Sequence, residues 1–189
     1  MDWLHRPEMV YAAQAVRNGG VVACPTEGVW GLSCDVRCED AVRRILGLKG
    51  RPSHKGLILI TDHVDRLTPY VGDLSAQQWA LVRRKPNLRV TTWLVPLNND
   101  TPSLITGEHS KLAVRVTAHP PATALCALVA APLVSTSANT AGCPAAKTRA
   151  EVLAYFGDSL DYVAPGSVGG AGAPSEIRDI LTSEVVRAQ

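Results

Sequence analysis

The apolar positions of this chain come in short runs separated by stretches of helical period. Pro7 opens a segment in which Met9, Val10, Ala13 and Val16 share one helical face, and Gly19-Gly20 ends it. The run Val21-Val22-Ala23-Cys24 comes next and stops at Pro25-Thr26-Glu27-Gly28, the pattern of a buried strand that delivers a polar turn to a sheet edge. A second helix is predicted from about Glu39 to Leu48, with acids in its first turn and Val42, Ile45 and Leu46 on its apolar side. Further apolar runs, Leu57 to Ile60, Thr92 to Val95, Leu112 to Val116 and Pro132 to Val134, alternate with helical patterns such as Ala122 to Val129. Thr148-Arg149-Ala150-Glu151 has the spacing of a capping box, and the helix it starts carries Val152, Leu153, Tyr155 and Phe156 before Gly157. The segment Gly166 to Pro174 is too rich in glycine for regular structure, and short apolar segments around Ile177 and Val185-Val186 close the chain. Strands interleaved with helices predict an α/β fold, and with no internal repeat or linker in view a single domain over residues 1–189 is expected.

Composition narrows the function classes. A chain of 189 residues can bury a substantial core without disulfides or metals. A net charge of +2 gives no global field for a polyanion, so any nucleic-acid surface must be a local patch. The five cysteines, Cys24, Cys34, Cys38, Cys126 and Cys143, include no Cys-x-x-Cys pair and read as reduced thiols. The first residues form no apolar signal region, and no stretch approaches the roughly 20 apolar residues of a membrane span. A cytoplasmic protein is therefore expected.

Two segments carry the candidate chemistry. Leu48-Lys49-Gly50-Arg51-Pro52 sets two cations where a helix breaks, so both can turn toward one anion. Leu133-Val134-Ser135-Thr136-Ser137-Ala138-Asn139 ends an apolar strand in small hydroxyl residues, which with free backbone N–H groups suit a polyphosphate. Each has an ordinary alternative: helix-end charges that complement a dipole, and a turn whose side chains satisfy local backbone. Arg115 stands in an otherwise apolar strand, where its burial demands an anion and its fork suits a carboxylate. The five histidines are scattered, and only His54, beside Lys55, adjoins the basic segment. The Gly166 to Pro174 loop fits a phosphate-cradling lid or a plain connection equally well.

Taken in order, Pro25-Thr26-Glu27-Gly28-Val29-Trp30-Gly31-Leu32, Lys49-Gly50-Arg51-Pro52, Leu112 to Val116, Ser135 to Asn139 and Pro174-Ser175-Glu176-Ile177-Arg178-Asp179 resemble the YrdC/TsaC family over nearly the whole chain. The resemblance is to the short bacterial form of L-threonylcarbamoyladenylate synthase, without the extra C-terminal domain of longer members. It implies a twisted, open, mixed α/β sheet with flanking helices and a concave basic face. The implied reaction takes L-threonine, bicarbonate and ATP to threonylcarbamoyl-AMP and pyrophosphate, the first step of tRNA threonylcarbamoyladenosine modification. Adenylation requires positioning and neutralisation of charge, with no obligatory protein nucleophile.

By the same resemblance Lys49 and Arg51 contact phosphates and the carbamate, and Ser137 and Asn139 complete the nucleotide site. Thr26, Arg115 and Ser135 hold threonine, and Lys55, Ser175 and Arg187 lie near the nucleotide. A magnesium ion on the phosphates is expected from the chemistry, with no metal ligand named in the chain. Implied partners are the three substrates, a downstream tRNA threonylcarbamoyl transferase complex, and double-stranded RNA or tRNA. Relatives carry Trp-Pro-Gly-Pro where this chain reads Arg84 to Thr91, so the rigid turn chemistry there is replaced by basic residues. Two other functions stay open on sequence alone. One is a double-stranded RNA-binding maturation factor using Arg83, Arg84, Lys85 and Arg89, and the other is a silent nucleotide-binding relative.

Overall fold

A computed structural model of the chain describes residues 2–84, 90–99 and 101–188. Five of the eight residues in the Arg84 to Thr91 turn, Lys85 and Arg89 among them, lie outside the described residues. Nine strands of the described residues form one mixed sheet: β1 (Val22–Pro25), β2 (Trp30–Asp35), β3 (Ile58–Thr61), β4 (Thr91–Pro96), β5 (Lys111–Val116), β6 (Leu133–Ser137), β7 (Tyr162–Val163), β8 (Glu176–Asp179) and β9 (Val185–Arg187). Their order across the sheet is β7-β1-β2-β6-β3-β5-β4-β8-β9. The pairs β1/β7, β3/β5 and β4/β8 are parallel and the others antiparallel. The α/β expectation is met.

Six α-helices flank the sheet: α1 (Pro7–Arg17), α2 (Glu39–Lys49), α3 (Ala76–Arg83), α4 (Ser103–Thr106), α5 (Pro120–Val129) and α6 (Arg149–Phe156), counted among the described residues. They divide unequally between its faces. On one face Val42 and Ile45 of α2, Val82 of α3, Ile105 of α4 and Phe156 of α6 pack with Leu32, Leu59 and Val114 of the strands. On the other, α1 and α5 bring Met9, Val16 and Leu125 onto Val22, Ile60 and Leu133. Because successive strand residues alternate faces, this second face also carries Arg115, opposite Ile60, and Ser135, opposite Ile58. The helices leave these positions open, and the floor of the candidate site is this uncovered strip.

Local signals explain most helix ends. Thr148 accepts from the Glu151 amide while the Glu151 carboxylate accepts from the Thr148 amide, so the predicted capping box is present. Ser75 and Gln78 form the same box at α3, a helix that the apolar pattern does not reveal because it buries only Val82 and so lacks a period. Val10 does not belong to the buried face of α1. The stripe runs through Met9, Ala12, Ala13 and Val16, and Val10, one position round the helix, is exposed.

The end of α2 sets the layout of the basic segment. Lys49 is its last residue, and Gly50 adopts the left-handed conformation at φ 58°. The Arg51 amide donates to Leu46 O at 2.9 Å and the Gly50 amide to Gly47 O at 3.0 Å, the two bonds of a Schellman turn. That reversal sends the two neighbouring cations in different directions.

Candidate functional site

The first cavity, of about 140 Å3, opens on the uncovered strip and is lined by Thr26, Arg51, Arg115, Ser135, Ser137, Ser175 and Arg187, with Gly28, Gly31 and Val90 among its other walls. Seven of the ten residues expected at the site are thus brought together, from strands β5, β6 and β9 and from three loops. A second cavity of about 420 Å3 adjoins it and shares Arg51, Leu57, Ile58 and Arg187 with it. Lys55 lines this second space together with Lys111 and His109. Leu94, Ile105 and Ala113 give the second cavity its apolar walls. The two spaces together fall in the range of ordinary ligand sites, about 300–1,000 Å3.

Three guanidinium groups line the first cavity, and those of Arg51 and Arg187 stand on its border with the second. Arg51 donates from Nε to Gly56 O at 3.1 Å and from Nη2 to Lys55 O at 3.0 Å, which fixes one edge of its fork and leaves Nη1 for a ligand. Arg187 donates to Ser175 O at 2.7 Å, and the Ser175 hydroxyl is 2.7 Å from that of Thr92. Burial, then the charges of Arg115 and Arg51, push the Arg187 pKa down. Burial alone lowers that of Arg51. Cations held together in this way are stabilised by an anion that bridges them.

Arg115 is buried and its Nη2 stands 3.6 Å from Oε2 of Glu27. The anion that its burial demands is therefore supplied in part from inside the chain. The sequence gives no sign of this role for Glu27, since nothing in the local pattern ties the β1–β2 turn to strand β5. Burial raises the Glu27 pKa, but the Arg115 charge, the Thr117 hydroxyl and backbone bonds outweigh it and hold the carboxyl below its ordinary value.

Two of the hydroxyls are set as acceptors. Thr26 donates its proton to Val29 O at 2.7 Å and Ser137 donates to Asn139 Oδ1 at 2.6 Å, so each presents lone pairs to the cavity. Both fit an ammonium, amine or ribose hydroxyl better than a phosphate oxygen.

Lys49 and Asn139 do not line either cavity. The Lys49 ammonium donates to Ser137 O at 2.5 Å, Asn139 O at 2.8 Å and Asn139 Oδ1 at 3.2 Å, so its three N–H groups are committed to the chain. Asn139 is pinned in turn by its amide, which donates to Cys143 O at 2.8 Å and Thr140 O at 3.0 Å. The expected pair of cations aimed at one anion is therefore split, with Arg51 at the cavity and Lys49 behind Ser137, because the Schellman turn separates them. Burial, then the Arg51 charge, lowers the Lys49 pKa to about 8.

The glycine-rich segment forms one wall. Gly169 N donates to Thr26 O at 2.9 Å and Ala171 N to Glu27 O at 3.1 Å, and Ala173 and Pro174 line the first cavity. A Cβ on Gly28 would stand 1.9 Å from Ala173 O, so this approach of two backbones requires glycine. Gly28→Ala is expected to lower the unfolding free energy by about 1–3 kcal/mol, the scale of overpacking, and to raise KM for the ligand at Arg115. Urea denaturation and steady-state kinetics check the two halves of this expectation.

A family model named for Sua5, YciO and YrdC, and described as telomere recombination, matches residues 14–188. The chain belongs to the Sua5/YciO/YrdC family. Among members of this family, it is 47% identical over 188 residues to a threonylcarbamoyl-AMP synthase of Cellvibrio japonicus, covering 99% of this chain and 98% of that one. It is 51% identical over 180 residues to a threonylcarbamoyl-AMP synthase of Pseudomonas syringae, covering 94% and 95% of the two chains. The crystal structure of P. abyssi Sua5 complexed with L-threonine superposes with a TM-score of 0.84 at 31% identity, covering 90% of this chain. The match spans half of that longer Sua5 chain. Among the described residues no helix is long and apolar enough to cross a membrane.

Proposed function

We propose that the chain is an L-threonylcarbamoyladenylate synthase, taking L-threonine, bicarbonate and ATP to threonylcarbamoyl-AMP and pyrophosphate. One observation carries the assignment of roles: three guanidinium groups, of Arg51, Arg115 and Arg187, meet on one cavity beside hydroxyls that act as acceptors. Arg115 takes the threonine carboxylate, with Thr26 and Ser135 beside the amine. Arg51 and Arg187, on the border of the two cavities, take the triphosphate, and Lys55 adds charge on the far side. Adenosine lies in the larger cavity against Leu94, Ile105 and Ala113, with Ser175, just before β8, on the wall of the first cavity.

The chemistry asks little of the chain beyond holding these groups. The neutral amine bonds to the carbon of bicarbonate as a C–O bond breaks and water leaves, and an oxygen of the resulting carbamate then bonds to the α-phosphorus as the bond to pyrophosphate breaks. The arginines stabilise charge on the leaving pyrophosphate, and Lys49 with Asn139 keeps the Ser137 hydroxyl in place. Magnesium would enter on the phosphate oxygens. Among the described residues no three His, Cys, Asp or Glu side chains cluster, and the polar side chains that line the first cavity are arginines and hydroxyls with no carboxylate, so it does not fit a protein-borne ion.

The product, a mixed anhydride, is handed to a transferase that acts on tRNA. We infer that the chain works in the cytoplasm as one domain, a setting in which its free thiols stay reduced. Pyrophosphate release from ATP tests the reading. It is expected to require both L-threonine and bicarbonate, and release that is indifferent to either one contradicts the assignment.

A further inference from the structure

Glu27 sits in the turn between β1 and β2 as a post fixed from several sides. Its Oε1 accepts from the Thr117 hydroxyl at 2.7 Å and from the Ala118 amide at 3.3 Å. Its backbone carbonyl accepts from the Ala171 amide at 3.1 Å, and its Cα lies 3.1 Å from where a Cβ on Gly169 would stand. Only Oε2 is left over. It is buried, has no hydrogen-bond partner, and faces Arg115 Nη2 at 3.6 Å, too long for a hydrogen bond and close enough for attraction. On the other side of the contact, Arg115 Nε is also buried and unpartnered. A guanidinium held by charge alone keeps its hydrogen-bonding edge for something else, and Arg115, unlike Glu27, lines the cavity.

We propose that Glu27 is a positioning residue for substrate recognition, acting through Arg115. Its rigid carboxylate draws one side of the Arg115 fork inward so that the other side meets the substrate carboxylate in a fixed direction. This role rests on the reading of Arg115 as the threonine-carboxylate group. It also gives the sign of a conservative change. An amide at position 27 must aim its NH2 either at Arg115, donor against donor, or at the Ala118 amide, donor against donor again. In neither orientation is the guanidinium held as before.

The test is calorimetric titration of the wild type, Glu27→Gln and Thr117→Val with L-threonine and, separately, with α,β-methylene-ATP. Thr117→Val leaves the carboxylate but removes the hydroxyl that aims it, so it serves where Glu27→Gln fails to fold. The expected result is a Kd for L-threonine raised about tenfold in Glu27→Gln, the scale on which a supporting group tunes a recognition group. A smaller rise is expected in Thr117→Val, with the nucleotide Kd unchanged in both. In turnover the same variants should raise KM for threonine and leave kcat near wild type. Threonine affinity equal to wild type in the variants overturns the positioning role alone. Loss of both affinities in a folded variant overturns it as well, since that marks a purely structural role. A wild type that binds the nucleotide but no threonine overturns the reading of the site and the positioning role with it.

Discussion

Replacing Arg115 with methionine is expected to lower kcat/KM for L-threonine by roughly 10²–10⁴-fold, because a carboxylate loses two charge-assisted hydrogen bonds of about 1.5–3 kcal/mol each. The same change harms the fold. Glu27 loses the cation that offsets its burial, and breaking a buried pair from one side costs about 3–5 kcal/mol.

The pH dependence comes from the direction of the Glu27 shift. In the wild type its pKa is lowered, so its contribution is present above the ordinary carboxylate value and is lost as pH falls through the native value. With Arg115 gone, burial dominates and the native pKa rises above the ordinary value. The destabilisation of Arg115→Met then grows as pH rises through that raised value. The gap in thermal midpoint between Arg115→Met and wild type should therefore be widest at neutral pH and narrow under mildly acidic conditions. Arg115→Lys separates the two effects. It keeps a charge for Glu27 and should melt near wild type, yet it lacks the fork and should lose about 10- to 100-fold in threonine kcat/KM. Equal melting of all three proteins contradicts the pairing with Glu27.

The second large effect belongs to Lys49, which reaches the site only through Ser137 and Asn139. Its three N–H groups are used in full only by the ammonium form, and burial sets its pKa near 8. As pH rises through about 8 the amine loses one donor, the turn carrying Ser137 loosens, and kcat/KM for ATP falls. Lys49→Met should cost turnover roughly 10²-fold or more, since it leaves two partly buried backbone carbonyl oxygens, of Ser137 and Asn139, without their donor, at up to about 1–3 kcal/mol each. Lys49→Arg should be slow at every pH but lose the alkaline limb, because its guanidinium stays charged. An alkaline limb that persists unchanged in Lys49→Arg assigns the titration to another group. For stability the sign is the reverse: the unfolded chain binds more protons than the native one between about 8 and the ordinary lysine value, so wild-type stability rises with pH across that interval.

These two residues also show how far the sequence reaches. Lys49 and Arg51 stand out together, and the Ser135 to Asn139 segment is legible as their counterpart, because the residue types are distinctive and local. Their separation is not legible, since it depends on Gly50 taking the left-handed conformation and turning Arg51 back over the helix end. Glu27 escapes for a different reason. Its meaning comes from Arg115 and Thr117, which strand pairing brings near and no periodicity can announce.

The fold is most legible where one signal acts alone. The Thr148 capping box, the α2 amphipathic face and the runs that become β3, β4 and β5 all appear where expected. Strand β2 does alternate, with Trp30, Leu32 and Cys34 set against Gly31, Ser33 and Asp35, but its burial on both faces is not legible, because the second set reads as solvent-facing. The glycine-rich segment cannot be told from a plain connection in the sequence, because its close approach to Gly28 and Glu27 is tertiary.

The most direct test of the central claim is the mass of the adenylate formed from ATP, L-threonine and bicarbonate labelled with heavy carbon. The expected product is an adenylate that contains both threonine and the labelled carbon, joined through the carbamate, and that disappears in Arg115→Met. An adenylate of threonine without the label, activated at the amino-acid carboxylate itself, would contradict the claim, because Arg115 would then be holding the wrong end of the substrate.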